Sequence, residues 1–222
     1  GVVCCGVNIK TSEFTVELSH KYDFMYSAVG FHPLDNDEYR DGDLERIKEL
    51  ASDPKCVAIG EIGLDYYYDD VPHDVQKKWF IRQIELANEV KLPVIIHDRD
   101  AHGDTLEILK STLKTGGVLH CFSGSREMAR EVLNMGMYIA FGGTLTFRNA
   151  KRVREVLEYV PLERILIETD SPYLAPEPNR GKRNSSLYLP YVIAELARIK
   201  GISEKEAEEI TLANAKNCFG IN

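Results

Sequence analysis

Seven short apolar runs, each bounded by Gly, Pro, Asn or Asp, punctuate the chain: VVCCGVN, FMYSAVGFHP, CVAIGEIGLD, PVIIHDRD, GVLHCFSG, YIAFGGTLTF and ILIETDSPYL. Several are hydrophobic with almost no alternation, as in strands covered on both faces. Between them the apolar residues change to helical spacing, most clearly at Trp79, Phe80, Ile84 and Ala87 with charges interleaved. Helices are also expected from Ser12 through Phe14 and Leu18, and over Asp41 to Leu50, Asp104 to Leu113, Arg126 to Leu133, Ala150 to Tyr159 and Leu187 to Ile199. A last helix runs from Ser203 to Phe219 and opens with the capping-box pair Ser203 and Glu206. Strand and helix alternate with no linker or repeat, which predicts parallel strands joined by right-handed crossovers, in an open doubly wound sheet or a barrel.

Polar residues within the runs separate these two folds. His32, Glu61, His97, His120 and Asp170 each stand toward the C-terminal end of a different run. Strand ends converge at one switch point in an open sheet, whereas in a barrel they all surround one mouth. An α/β fold of the TIM (β/α)8 type is therefore expected, as a single domain over residues 1–222. Seven runs are one short of eight strands, so one strand is unrecognised or missing.

Glu61 is a carboxylate in an otherwise apolar strand, and a buried carboxylate stays ionised only if paired or bound to a metal. Together with His97, His120 and Asp170 it makes an imidazole and carboxylate set suited to a divalent ion. Each also has an ordinary reading, as a hydrogen-bonded core histidine or a structural salt bridge. Asp65 with Tyr66, Tyr67 and Tyr68 is either an exposed loop edge or a stacking wall around a ligand. In PNRGKRN, three cations surround one glycine, either as a solvated turn or as an anion-attracting loop whose guanidinium groups suit phosphate oxygens.

Composition narrows the setting. The 222 residues are 44% hydrophobic, enough for one large core. The net charge of -8 opposes wrapping around a polyanion, so any nucleic-acid contact is local. Five cysteines without a Cys-x-x-Cys pair suit reduced thiols and a cytoplasmic location. The start GVVCCGVNIKTSEF lacks a charged leader and no run has membrane-spanning length, so neither secretion nor a membrane partner is expected.

VGFHP, GEIGLDYYY, the helix pattern Gln76, Phe80, Gln83, Leu86-Ala87, then LPVIIHDRDA, HCFSGS, the GG of AFGGTLTF, ETDSPYLAP and NRGKRN together resemble one family over essentially the whole chain. It is that of the TatD-type metal-dependent deoxyribonucleases, amidohydrolase-like TIM barrels. The resemblance implies two divalent ions (Mg, Mn or Zn), Glu61 as their bridging ligand, His97 and His120 as histidine ligands, and Asp170 as the acid that holds an ion and orients the nucleophile. Glu61 and Asp170 are then the catalytic carboxylates. His32 falls on the family's GxHP position with a substrate-orienting role; Tyr66 and Arg99 are assigned to the substrate wall, and Arg180, Lys182 and Arg183 to phosphate. The implied reaction is phosphodiester hydrolysis in DNA, at ends or in single strands and 3'-5' exonuclease-like, with RNA as a further substrate, by a monomer.

The chain departs from the family pattern in one place. Members begin with a strand carrying His-x-His, whereas here no histidine precedes His20; the resemblance thus implies that the first strand is absent and the domain N-terminally incomplete, with at most one well-held metal and little nuclease activity expected of the chain as it stands. Two other readings compete: a small-molecule amidohydrolase or phosphoesterase of the same fold, and a catalytically impaired barrel that binds nucleic acid or another partner.

Overall fold

A computed structural model describes residues 1–35 and 39–221. Two compact units emerge, residues 1–118 with 219–221, and residues 119–218. In the first unit, β1 (Val2–Cys5), α1 (Ile9–Lys21), β2 (Met25–Val29), α2 (Asp41–Ala51), β3 (Cys56–Asp65), α3 (His73–Val90), β4 (Val94–Arg99) and α4 (His102–Thr112) alternate as the hydrophobic pattern predicts. Strands β1 to β4 pair in chain order, all parallel. Along β5 (Gly117–Leu119) the chain passes from the first unit to the second.

The longest strand, β3, is buried along its whole length except at Glu61, which is half-buried. Helix α3 covers it with Trp79, Phe80, Ile84, Leu86 and Ala87, at the spacing that places them on one face. Two glutamines, Gln76 and Gln83, share that face and are fully buried. Their amides replace ladder partners that the strand ends lack. Gln83 Oε1 accepts the Phe31 N–H at 2.7 Å and its Nε2 donates to the Phe31 carbonyl at 3.1 Å. One heptad earlier, Gln76 accepts the Asp65 N–H at 2.8 Å and donates to the carbonyls of Asp65 and Val71, both at 2.9 Å. The backbone beside His32 and that at the end of β3 are thus both fastened to one helix.

Helix α1 starts earlier than Ser12. Asn8 caps it, accepting the Thr11 N–H at 2.9 Å while the Thr11 hydroxyl accepts the Asn8 N–H at 3.0 Å. Ser12 lies inside the helix, buried, where its hydroxyl accepts the Gly30 N–H at 3.2 Å and ties α1 to the end of β2.

The second unit contains α5 (Arg126–Asn134), β6 (Tyr138–Phe141), α6 (Lys151–Tyr159), β7 (Ile165–Ile167), α7 (Leu189–Lys200) and most of α8 (Glu204–Phe219). β6 and β7 pair in parallel. Ser203 caps α8 as expected, accepting the Glu206 N–H at 3.2 Å. Asn214 on α8 is buried and donates to the carbonyls of Leu162 and Ile165, each at 2.8 Å. Both strands are shorter than their apolar runs. After Phe141 the chain enters a 3-10 turn at Gly143–Thr146, and the Thr146 hydroxyl accepts the Glu177 N–H at 2.9 Å, so the tails of the two runs meet as loops. Pro172, Pro176 and Pro178 lack the N–H that a continuing strand requires.

Gln83→Leu fills similar volume but leaves the Phe31 N–H and carbonyl unpaired in the core, and each orphaned group costs about 1–3 kcal/mol. Urea denaturation should therefore show a loss of about 2–6 kcal/mol; a midpoint unchanged from wild type would remove the amide's structural role. In the second unit, Glu195 accepts from the Arg198 Nε and Nη2, each at 2.8 Å, and from the Arg154 Nε at 3.0 Å. The Arg198 hydrogen bonds hold its carboxyl below the ordinary 4.5, against partial burial and with help from Arg154. A depressed acid stabilises the fold above its unfolded pKa and ceases to do so as pH falls through the folded one. Glu195→Gln should cost about 1 kcal/mol at pH 7, and this deficit should shrink as pH drops below 4.5. A deficit that does not change with pH would show that charge plays no part.

Candidate active site

The position of Glu61 follows from an irregularity in strand pairing. Ile59 lies opposite Val94, but Ile62 lies opposite Ile96, so β3 carries one extra residue at Gly60–Glu61. Such a bulge bends a strand and redirects a side chain. Gly60 is required there because a Cβ would stand 2.6 Å from the Cβ of Ile95 and 2.9 Å from its carbonyl oxygen. Three residues on, Gly63 has φ +146° and would drive a Cβ to 1.9 Å from the His97 carbonyl oxygen, so only glycine lets β3 approach β4 beside that histidine.

His97 stands between two carboxylates. Its Nδ1 lies 2.9 Å from Glu61 Oε1 and its Nε2 3.0 Å from Asp65 Oδ2. Asp65 is the buried last residue of β3, not an exposed loop edge, and its other oxygen accepts the Tyr67 N–H at 3.0 Å. Burial pushes the Asp65 carboxyl up, but the hydrogen bond and charge of His97, the Tyr67 N–H and the Arg99 guanidinium outweigh it and hold the group below its usual value. An imidazole that donates Nε2–H to a buried carboxylate presents the Nδ1 lone pair in a fixed direction.

His32 differs. Its Nδ1 accepts the Leu34 N–H at 3.2 Å, which assigns the ring proton to Nε2, 3.7 Å from Glu61 Oε1. Its ring meets that of His97 edge to face at 4.6 Å. Among the described residues, His32, Glu61 and His97 form a group of potential ligand atoms all within 4.8 Å of one another. Within it, the hydrogen bond from the Leu34 N–H turns the protonated nitrogen of His32 toward Glu61, whereas His97 faces a carboxylate from each ring nitrogen.

His120 and Asp170 belong to the second unit. His120 directly follows β5, its Nδ1 3.4 Å from Glu168 Oε2, while Glu168 Oε1 accepts the Cys121 N–H at 2.8 Å. Asp170 is half-buried, three residues past β7, and its carbonyl accepts the Tyr173 N–H at 2.6 Å. Sequence reasoning missed the parts that Asp65 and Glu168 play as carboxylates behind histidines. The signal was a second acid close to each ligand-type acid in the same run, in GEIGLD and ETD.

The remaining candidates are exposed or half-buried, Arg99 at the end of β4 and the others on loops. Tyr66 is fixed: its hydroxyl donates to Asp104 Oδ2 at 2.6 Å and its ring stacks on His73 at 3.6 Å, and burial together with Asp104 pushes its phenol above the usual value. Arg99 is exposed, with its guanidinium 3.8 Å from the Tyr67 ring centroid. Arg180 covers the Phe147 ring at 4.2 Å, Lys182 donates to Asn179 Oδ1 at 3.3 Å, and Arg183 is exposed. Buried Asn184 holds this loop, donating through Nδ2 to the Tyr173 carbonyl at 2.7 Å and through its N–H to that of Pro172 at 2.9 Å.

A carboxylate and imidazole within ligand reach, with a buried acid behind the imidazole, fit a divalent metal by donor chemistry. Ligand-type groups on parallel strands of an α/β fold suit the class of metal-dependent hydrolases, a class that the fold alone does not fix. Comparison with known proteins gives the particular family. The model of the TatD related DNase family matches residues 1–220, and the chain belongs to that family. It is 48% identical to the uncharacterized metal-dependent hydrolase YabD of Bacillus subtilis, over all of this chain and 88% of that one. It is 37% identical to the 3'-5' ssDNA/RNA exonuclease TatD of Klebsiella pneumoniae, over all of this chain and 87% of that one. The crystal structure of the TatD homologue YJJV from Escherichia coli superposes with a TM-score of 0.93 at 30% identity, over 99% of this chain and 86% of that one. The fold is accordingly the TIM-barrel type of that family, and the chain is a hydrolase of ester bonds that depends on a divalent metal.

Asp65→Asn keeps the shape and the acceptor for Tyr67 but removes the charge behind His97. Calorimetric titration with Mn2+ or Zn2+ should show affinity lowered about 10–100-fold, with thermal stability little changed. Wild-type affinity in this variant would separate Asp65 from metal binding.

Proposed function

We propose that the chain is a nuclease that hydrolyses phosphodiester bonds at the ends of single-stranded nucleic acid, DNA foremost, in the 3'-5' direction. The observation that carries this reading is the line Glu61–His97–Asp65, a ligand-type carboxylate and imidazole backed by a buried acid. The nucleic-acid substrate is supported by the relative named as an ssDNA/RNA exonuclease. Glu61, His97, His120 and Asp170 are the residues that hold divalent metal in this reading. When bound, the metal polarises a phosphoryl oxygen and makes water a stronger nucleophile near neutral pH.

The chain's own groups do the rest. His32 donates its Nε2–H to a non-bridging phosphate oxygen and orients the substrate. The attacking water gives its proton to the Asp170 carboxylate as its oxygen joins phosphorus, and the bond from phosphorus to the departing nucleoside oxygen breaks, that oxygen taking a proton from solvent. Arg180, Lys182 and Arg183, all exposed on the loop that Asn184 holds, attract the flanking phosphates.

No helix among the described residues is long and apolar enough to cross a membrane. None of the five cysteines forms a disulfide, and burial pushes the thiols of Cys56 and Cys218 up to about 11 and about 12. Cysteines outside disulfides support a reducing compartment such as the cytoplasm.

Single-stranded oligonucleotides labelled at either end test the reaction. Products should shorten from the 3' end with Mg2+ or Mn2+ present, and chelator should abolish turnover. Charge reversal at Arg180, Lys182 and Arg183 should raise KM about tenfold or more, and wild-type affinity should fall with salt as released counterions lose their entropic advantage. Turnover of small esters or amides in preference to every oligonucleotide would overturn the proposal in favour of a small-molecule hydrolase.

A further inference from the structure

The three consecutive tyrosines after β3 are not equivalent. Tyr66 has both its hydroxyl and one ring face engaged, by Asp104 and His73. Tyr67 and Tyr68 are instead 56% and 42% exposed, large aromatic surfaces that folding leaves in water. Their rings meet edge to face, with centroids 4.8 Å apart and planes at 84°, making an open corner. The Arg99 guanidinium lies 3.8 Å from the Tyr67 centroid and 5.2 Å from that of Tyr68, so one cation braces both rings.

This corner is joined to the candidate active site by short links within the first unit. The Tyr67 N–H donates to Asp65, whose other oxygen holds His97. Arg99 is two residues beyond His97 on β4 and pairs in register with Asp65. Exposed ring faces beside a guanidinium, attached to a phosphate-cleaving site, match the way proteins bind unpaired bases: stacking on aromatic faces with a nearby cation for the backbone. A small ester has no flanking base to occupy such a surface.

We propose that Tyr67 and Tyr68, braced by Arg99, form the stacking platform for an unpaired nucleobase flanking the reacting phosphate. This rests on the nuclease reading for the identity of the ligand. Tyr67 supplies the stacking face, Tyr68 the wall at right angles to it, and Arg99 both fixes the rings and attracts the adjoining phosphate. Tyr66, read from the sequence as part of the same wall, is instead the anchor that holds the turn.

The test is binding, so it does not depend on turnover. A fluorescent oligothymidine and an abasic oligomer of the same length and charge are titrated by anisotropy in the presence of chelator. Wild type should bind the abasic oligomer at least fivefold more weakly than oligothymidine, a loss of the size expected for one stacked base. Tyr67→Ala should bind oligothymidine at least fivefold more weakly than wild type and lose the preference, whereas Tyr67→Phe should keep both affinity and preference. Equal wild-type affinity for the two oligomers overturns the platform, and so does a preference that survives Tyr67→Ala. If Tyr67-dependent base preference is found but no oligonucleotide is cleaved with metal, the platform stands and the nuclease reading fails. If wild type binds neither oligomer, both fall.

Discussion

The close contacts of His97 with Glu61 on one side and Asp65 on the other, at 2.9 and 3.0 Å, organise much of the first unit. Two acids only four positions apart on one strand repel each other and are costly to desolvate, so they tolerate burial only with a compensating group between them. That group comes from the neighbouring strand at matching height, which requires β3 to approach β4 closely beside His97. The glycines of GEIG answer that steric demand, and the buried amide of Gln76 fastens the far end of the strand so that Asp65 cannot swing away.

Buried polar side chains recur wherever a strand end must be held. Gln76, Gln83, Ser12 and Asn214 are each nearly inaccessible to solvent, and each is hydrogen-bonded to backbone at the end of a strand or the turn beside one. In the interior a satisfied amide is directional in a way that apolar packing is not. The chain spends this directionality close to groups whose orientation matters, next to His32 and Asp65 in one unit and at the start of β7 in the other.

The alternation of strands and helices was legible because runs covered on both faces and helices with one apolar face carry different periods, and neither depends on distant residues. Glu61 was legible for a related reason: a carboxylate in an apolar run conflicts with its surroundings and so marks itself. What could not be read were features fixed by pairing across the chain. The bulge at Gly60–Glu61 exists only relative to Val94 and Ile96. Ser12 resembled a helix start because its partner, Gly30, is eighteen residues away. Asp65 and Glu168 looked like ordinary polar boundaries of apolar runs, since nothing local shows which histidine each faces. The tails GGTLTF and TDSPYL had strand-like composition but turned into loops, with Thr146 in the first hydrogen-bonded to Glu177, three residues beyond the second.

The extra residue in β3 makes the direction of Glu61 depend on a count as well as on an identity. Side chains on a strand alternate faces, so removing one residue between Ile59 and Ile62 would restore an even ladder and turn the carboxylate to the opposite side, with every amino acid of the site still encoded. Substitutions at neighbouring apolar positions leave that count intact. In this segment, then, descent with changes of residue type is compatible with a working site, while a single-codon deletion is not, and related chains should show fixed spacing from the alanine before Ile59 to Asp65 even where the residues between have diverged.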